Sequence, residues 1–323
     1  DLTYDDVFMV PSSSEISSRM EVDLASNDGS GTTIPIVVAN MTAISGRRMA
    51  ETIARRGGIA VIPQDIPLEI VKDVISWVKS RHTFFDTPIT LSPNETVADA
   101  VGLLNKRAHG AIVIVEENKP VGIVTEEDCA GVDRFTQLHS VMSKDLMTLP
   151  DTADAHAAFD FLHHHRRKLA PVVSANGELV GILTRISALR ATLYSPALDA
   201  KNNLRIAAAV GVNGDVAAKA KYLIDAGVDV LVVDTAHGHS AGVMNAVQRI
   251  KSAWPDLAVV AGNVVTEDLD FMFEAMGVST GVDLNLLIAA RQTLQAGLPG
   301  EPLYGMTPLA GLPKGWKDKA NHV

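Results

Sequence analysis

Five short apolar runs limit the folds open to this chain more than any other feature of its sequence. The runs lie at 34–41, 58–64, 205–211, 228–235 and 257–264, and helical stripes are expected at 46–56, 68–80, 215–226 and 241–253. Strands buried on both faces read as continuous apolar runs, and the helices between them cover the two faces of a parallel sheet. The pattern therefore predicts an α/β protein with a parallel sheet.

The ends of these runs are where the sequence predicts a functional site. They are polar or glycine-rich, with Asn40-Met41, Pro63-Gln64, Gly211-Val212-Asn213, the segment 234–238 and Gly262-Asn263. In a (β/α) barrel, the loops at the carboxyl ends of the strands build the active site. Because five strands are fewer than the eight of a closed barrel, the predicted fold is an incomplete (β/α) TIM-type barrel.

An internal repeat interrupts the barrel pattern between Pro88 and about Ser195. The phrase Val-Gly-Ile-Val-Thr that ends at Thr125 returns as Val-Gly-Ile-Leu-Thr ending at Thr184. Turns at 117–119 and 175–177 join apolar runs as hairpins, so each copy is predicted to run helix, strand, turn, strand, helix. Two copies of this length indicate a pseudo-symmetric pair and not a solenoid.

The composition excludes several classes of protein. The formal net charge of −10 disfavours binding to nucleic acid, and no apolar segment reaches the ~18 residues that a membrane span needs. Residues 1–6 lack the basic flank and apolar core of a signal peptide. The single cysteine, Cys129, cannot form an intramolecular disulfide. We therefore expect a cytoplasmic protein with small-molecule partners, bound to neither membrane nor nucleic acid.

The repeated phrase resembles the CBS module, in which a Thr-x-x-Asp follows the second strand. Thr125 and Asp128 fit that pattern, and the resemblance implies that Asp128 accepts hydrogen bonds from a ribose while Thr125 faces a phosphate. The second copy has Thr184 but Ser187 in place of the aspartate, which favours one site for ATP or GTP over two. An insert that binds nothing is the alternative. The basic run 163–167 is expected on a solvated helix face, with phosphate contact as its alternative.

A CBS pair inserted after the second βα unit is similar to the arrangement in IMP dehydrogenases and some GMP reductases. Segments 2–11, 38–42, 233–239 and 261–266 resemble that family, and Asn40 with the Ala-His-Gly-His loop favours the CBS-bearing GMP reductases. The resemblance implies reduction of GMP to IMP and ammonia by NADPH, or the IMP dehydrogenase reaction. It also implies a homo-oligomer.

The same resemblance assigns roles to the strand ends. Asn40 and Met41 would contact the purine of GMP or IMP. The cofactor NADP or NAD would be contacted through its nicotinamide by Asp234, Thr235 and Ala236, and Gly262 and Asn263 would shape the floor of the site. Core packing is the alternative for Met41 and a simple turn for Gly262. Asp234 favours function because a buried carboxylate needs partners.

The family's catalytic cysteine loop has no counterpart after Thr266. That cysteine attacks the purine, and potassium, a possible cofactor in the family, belongs to the same missing loop. Cys129 lies in the insert and is interpreted as a small, partly buried residue. We therefore predict no catalytic residue in this chain and treat its enzymatic activity as open.

Residues 262–323 resemble instead the carboxyl-terminal end of hydroxymethylglutaryl-CoA lyases, which predicts a chimeric chain. Asn263 would match a metal ligand of that family, but the other ligands are not found in their contexts, so no metal is expected.

The predicted organisation has four parts. Residues 1–86 form the first part of the barrel, 87–195 the CBS pair (87–146 and 147–195), 196–266 the second part of the barrel, and 267–323 a lyase-like helical tail. Three functions follow from it: a purine nucleotide oxidoreductase that is catalytically incomplete, an inactive nucleotide-binding CBS protein, or a metal-dependent lyase.

Overall fold

A computed structural model describes residues 13, 15–18, 21–104, 106, 109–235, 240–261 and 285–289. The elements before the insert are β1 (Val37–Val38), α1 (Arg47–Arg55), β2 (Ile59–Ile62) and α2 (Leu68–Lys79). Those of the insert are β3 (Ile89–Leu91), α3 (Val97–Leu104), β4 (Ala111–Glu116), β5 (Lys119–Thr125), α4 (Glu126–Cys129), a 3-10 turn (Leu138–Ser140), β6 (Leu149–Pro150), α5 (Ala155–His164), β7 (Leu169–Val173), β8 (Leu179–Thr184) and α6 (Arg185–Ala191). The chain continues with β9 (Ala207–Gly211), α7 (Val216–Asp225), β10 (Val230–Asp234), α8 (Ala241–Ala253) and β11 (Ala258–Ala261).

The five predicted barrel strands form one parallel sheet in the order β1-β2-β9-β10-β11. Side chains alternate across it, so that Ala208, Leu231 and Val233 pack against the helices while Ala207 and Val230 pack on the other face. Both faces are apolar, which is why the strands read as continuous apolar runs. The predicted incomplete TIM-type barrel is confirmed as a half-barrel of parallel strands.

Local hydrogen bonds fix where the barrel helices begin. The side chain of Asp215 accepts from the backbone N–H of Ala218 at the start of α7, and that of Ser240 accepts from Val243 at the start of α8. Such caps satisfy backbone donors that a helix leaves unpaired at its first turn. Each helix therefore begins a few residues after a strand end, which leaves those ends free to form a site.

The insert consists of two copies of one unit, as the repeat predicted. In each copy the first two strands pair in parallel and the last two form an antiparallel hairpin, giving the sheets β3-β4-β5 and β6-β7-β8. The register shifts at the same place in both hairpins, between Ile114 and Val115 and between Val172 and Val173. The repeat in sequence is thus a repeat in hydrogen bonding.

The linker that enters the insert packs on its second copy. Asp86 and Ile182 exchange two backbone hydrogen bonds of 3.0 and 2.9 Å, and Phe85 is buried in the apolar core of the second copy. Ser143, near the end of the first copy, exchanges two such bonds with Ile123 and so stays with the first copy. The order of the elements in sequence does not indicate that the linker before the first copy pairs with the second copy.

Within the described part of the chain, no helix is both long and apolar enough to cross a membrane.

Candidate functional site

Three strand ends bring polar side chains together at the carboxyl edge of the barrel sheet. Asn40 follows β1, Gln64 follows β2 and Asp234 ends β10. The Nδ2 of Asn40 and the Nε2 of Gln64 both donate to Oδ2 of Asp234, each at 2.8 Å. Asn40 and Gln64 are 194 and 170 positions from Asp234 in sequence, and the parallel sheet brings all three strand ends to the same edge. Asp234 has the polar partners that its position on an apolar strand requires.

A glycine on the intervening strand permits this contact. Gly211 ends β9, which lies between β2 and β10, and a Cβ at this position would overlap Oε1 of Gln64. The Gln64 side chain can therefore cross the end of β9 and reach Asp234. The sequence marked Gly211 and Gln64 as strand ends but gave neither a role. A glycine that closes an apolar strand is the signal that could have indicated a close approach.

The other predicted residues of the barrel site are placed less completely. Met41 is 56% exposed, so core packing is the wrong interpretation of this residue. Thr235 follows Asp234 directly and is partly buried. Ala236, Gly262 and Asn263 lie outside the described residues. Among the residues that are described, no three acidic, histidine or cysteine side chains group as metal ligands would.

A second candidate site is a cavity of about 970 Å³ between the two copies of the insert. Thr125 and Thr184, two of the three predicted nucleotide contacts, line it, and so do Thr52 of barrel helix α1 and Arg56, which follows α1. A cavity of this volume is within the range that accommodates small ligands.

The charge of this cavity differs from that of the chain. Its lining includes the basic side chains of Arg56, Arg166, Arg167, Lys168, Arg185 and Arg190, and the acidic side chains of Asp86, Glu126, Glu127 and Asp145. Arg167 is paired with Asp145 at 2.7 Å. Basic groups thus exceed acidic ones here, although the chain carries a net charge of −10. The run 163–167 is exposed, as expected, but α5 ends at His164, so Arg166 and Arg167 follow the helix and line the cavity.

Asp128, the predicted ribose acceptor, is engaged with its own helix. Its Oδ2 accepts from the backbone N–H and from Oγ1 of Thr125 at 2.8 and 2.7 Å, which is a capping box at the start of α4. Asp128 is not among the residues that line the cavity. Its two hydrogen bonds position Thr125, and Thr125 does line the cavity.

In the second copy, where Ser187 stands in place of the aspartate, the nearby carboxylate is that of Asp86 in the linker. Oγ1 of Thr184 accepts from the backbone N–H of Ser187 at 2.9 Å, and Oγ of Ser187 donates to Oδ2 of Asp86 at 2.8 Å. Asp86 lines the cavity. The sequence missed this group because it lies 101 residues from Ser187.

Cys129 is buried in the core of the first copy, as predicted. Burial, with the nearby charge of Asp128, raises the pKa of its thiol. Because the thiolate is the nucleophile, this cysteine is a poor one at neutral pH.

The family model described as the IMP dehydrogenase / GMP reductase domain matches residues 1–282. The chain belongs to this family. Within the IMP dehydrogenase / GMP reductase family, a GMP reductase from Mycobacterium tuberculosis is 49% identical over 303 residues, which are 93% of this chain and 63% of that protein. An inosine-5'-monophosphate dehydrogenase from Nitrosopumilus maritimus is 35% identical over 307 residues, 92% of this chain and 64% of that protein.

Solved structures of the family resemble the chain as well. A GMP reductase from Trypanosoma brucei in complex with guanosine 5'-triphosphate superimposes with a TM-score of 0.56 at 29% identity, covering 90% of this chain and 74% of that one. A structure in complex with guanosine 5'-monophosphate gives 0.56 at 31% identity, covering 86% and 61%. The chain spans just under two thirds of the length of the curated relatives named above. The match to the family model extends to residue 282, past Thr266, the predicted end of the resemblance to this family.

Proposed function

We propose that this chain is the purine- and nicotinamide-binding part of a purine nucleotide oxidoreductase, most like an NADPH-dependent GMP reductase. The observation that carries the proposal is the convergence of Asn40 and Gln64 on Asp234 at the carboxyl ends of the strands. Family membership and 49% identity to a GMP reductase favour the reduction of GMP over the oxidation of IMP.

Asp234 and its two amides are proposed to orient the ligands. Both amides donate to Oδ2, so the carboxylate is held in one orientation before any ligand arrives. Such preorganisation reduces the cost of ordering the site when a ligand binds. The exposed Met41 would contact the purine, and Thr235 the nicotinamide of NADP or NAD, whose chemistry is hydride transfer.

We further propose that this chain binds GMP without converting it. Cys129 is its only cysteine, and burial keeps that thiol protonated. A covalent purine intermediate therefore has no nucleophile here. Apart from residues 285–289, the predicted lyase-like segment lies outside the described residues, and no described group of ligands favours a metal-dependent lyase.

An assay of the purified chain with GMP and NADPH tests both statements. We expect GMP to bind in calorimetry and the absorbance of NADPH to stay constant. Asn40→Ala should weaken GMP binding about tenfold, because Asp234 loses a fixed partner. Asn176→Ala, in the exposed turn between β7 and β8 of the insert, is the control and should bind as the wild type does. Robust turnover would overturn the catalytic proposal, and absence of GMP binding would overturn the purine site.

The insert is proposed to be a CBS pair that binds ATP or GTP and regulates the barrel. The cavity with an excess of basic groups carries this part of the proposal, since phosphates are bound by such groups. Asp128→Ala should abolish the calorimetric signal with ATP by releasing Thr125. Asp154→Ala removes another helix cap, where Asp154 accepts from Ala157 at 2.8 Å, and should leave ATP binding unchanged. Equal effects of the two variants would refute a role for Asp128 in binding.

A further inference from the structure

The junction between the barrel and the insert carries a second, smaller cavity of about 230 Å³. Its lining shares Thr52, Arg56, Asp86, Ser187 and Arg190 with the large cavity between the two copies. The shared residues come from barrel helix α1 and the residue that follows it, from the linker and from insert helix α6. The large cavity therefore reaches the barrel, and at this end both bodies contribute to its wall.

Two guanidinium groups, those of Arg56 and Arg190, line both cavities at that end. Arg56 follows α1 and Arg190 lies on α6, and no carboxylate of a described residue lies within 4 Å of either. Burial, followed by the charge of Arg190, lowers the pKa of Arg56, while Asp86 opposes the shift. Two like charges brought together and partly removed from water are unfavourable unless an anion joins them.

Asp86 does not neutralise the pair. Its Oδ2 accepts from Ser187, and its Oδ1 lies 3.9 Å from Nη1 of a third arginine, Arg55. The side chain of Arg55 is only 6% exposed, and within the described structure its buried Nη1 has no hydrogen-bond partner. Arg55 also lines the small cavity. The junction thus combines two unpaired guanidinium groups and a buried donor that lacks an acceptor around the carboxylate of Asp86, while the nearby carboxylate of Glu51 is paired with Nη2 of Arg55.

A phosphoryl group is the ligand that fits this arrangement. The guanidinium fork matches two phosphate oxygens at once, and charge-assisted hydrogen bonds of this kind are roughly twice as strong as neutral ones. We propose that Arg56 of the barrel and Arg190 of the insert together bind a phosphoryl group of the nucleotide in the large cavity, so that the nucleotide bridges the two bodies. The inference rests on the proposed nucleotide-binding function of the insert.

A nucleotide bound in this way would couple the insert directly to the barrel. Helix α1, which ends just before Arg56, follows β1 and the site residues Asn40 and Met41. A ligand that contacts both bodies favours the arrangement in which both contacts are made. Occupancy of the insert would then restrict α1, which starts six residues after Met41.

Calorimetry on the full chain with ATP, adenosine and inorganic tripolyphosphate tests the bridge. Arg56→Gln and Arg190→Gln should each weaken ATP and tripolyphosphate at least tenfold and leave adenosine unchanged. The matched control is Arg249→Gln on α8, a surface residue paired with Asp215, which should bind as the wild type does. Hydrogen exchange should show that ATP protects the amides of α1 in the wild type and not in Arg56→Gln.

The outcomes separate the bridge from the function on which it rests. If the wild type binds ATP and both variants bind it equally well, the bridge is overturned and the nucleotide site stands. If the wild type binds neither ATP nor GTP, the proposed function of the insert fails. In that case, tripolyphosphate binding that depends on Arg56 and Arg190 still supports the anion site, and its absence overturns it.

Discussion

Lys79 holds two carboxylates at the amino-terminal end of the barrel sheet, opposite the candidate site. Its Nζ lies 2.8 Å from Oδ2 of Asp199 and 2.7 Å from Oδ2 of Asp229. Burial raises the pKa of Asp199, but Lys79 and the backbone N–H groups of Asn203 and Lys201 outweigh it and lower the pKa to about 2. Burial dominates at Asp229 and raises its pKa against the pull of Lys79. Lys79 thus opposes the effect of burial at both carboxylates.

Lys79→Met should lower the free energy of unfolding by about 3–5 kcal/mol, because it leaves a buried charge without its partner. Lys221→Met is the matched control. Lys221 pairs with Asp225 across an exposed helix turn, so its loss should cost no more than about 0.5 kcal/mol. Urea denaturation followed by circular dichroism measures both. Equal, small losses would show that the cluster does not stabilise the barrel.

His82 makes the entry to the insert sensitive to pH. Its Nδ1 accepts from the backbone N–H groups of Phe84 and Phe85 at 3.1 and 3.0 Å, which requires a neutral ring. Burial, then the charge of Arg55, lowers the pKa of His82 below its usual 6.5, with Asp151 opposing. The unfolded chain therefore takes up a proton first as the pH falls. Stability from His82 is complete above about pH 6.5 and is lost as the pH falls from there through the folded pKa.

The melting temperature should consequently fall more between pH 7 and pH 5 in the wild type than in His82→Asn. The asparagine retains an oxygen acceptor for Phe84 and Phe85 but does not titrate. Comparing the two proteins removes the contribution of all other titrating groups. A steeper fall in the variant would contradict the neutral ring.

At the scale of elements, the glycine of the repeated Val-Gly-Ile phrase lets another segment cross each hairpin. A Cβ at Gly122 on β5 would overlap the Met142 side chain, and one at Gly181 on β8 would lie 2.7 Å from Cβ of Phe85. At Gly181 the added atom would contact Cβ of Phe85, which is bonded directly to the backbone. At Gly122 it would contact the Met142 side chain, which can move. Close packing therefore requires the glycine of this phrase in both copies, and the second copy can accommodate a larger residue less easily.

Gly181→Ala should destabilise the protein by about 2–3 kcal/mol and Gly122→Ala by about 1 kcal/mol, as is usual for overpacking. Gly102→Ala on α3 is the control, since a Cβ there meets nothing within 4 Å. That change should stabilise by about 0.5–1 kcal/mol because alanine favours a helix. Chemical denaturation ranks the three variants. A smaller loss for Gly181→Ala than for Gly122→Ala would contradict the contact with Phe85.

The elements were predictable from sequence because burial on both faces leaves a direct mark. The runs around Ile62, Val210 and Val233 are apolar throughout, and each is a barrel strand. The strand ends Asn40 and Asp234 were predicted for the same reason. Contacts across the chain leave no such mark. Neither the hydrogen bonds that join Asn40 and Gln64 to Asp234 nor the pairing of Asp86 with β8 follows a local period, because sheet order and side-chain direction decide them.

At the scale of the molecule, one buried contact joins the barrel to the linker of the insert. Glu51 on α1 is fully buried, and its Oε2 accepts from Nη2 of Arg55 at 2.9 Å and from Oγ1 of Thr87 at 2.5 Å. Arg55 also donates to Oγ1 of Thr87 at 3.2 Å and to the carbonyl of His82. Thr87 is thus the only residue of this group that lies at the start of the insert and contacts both charged side chains.

Thr87→Val should lower the free energy of unfolding by about 1–3 kcal/mol, because a buried carboxylate loses a donor while the shape of the side chain is kept. The lost hydrogen bond lies between α1 of the barrel and the start of the insert, so proteolysis within residues 80–88 should also become faster. Thr83→Val, in the same linker, is the matched control and should change neither quantity, because no hydrogen bond of the Thr83 side chain is found among the described residues. If both variants are cleaved at the same rate, Glu51 and Thr87 do not hold the start of the insert to the barrel.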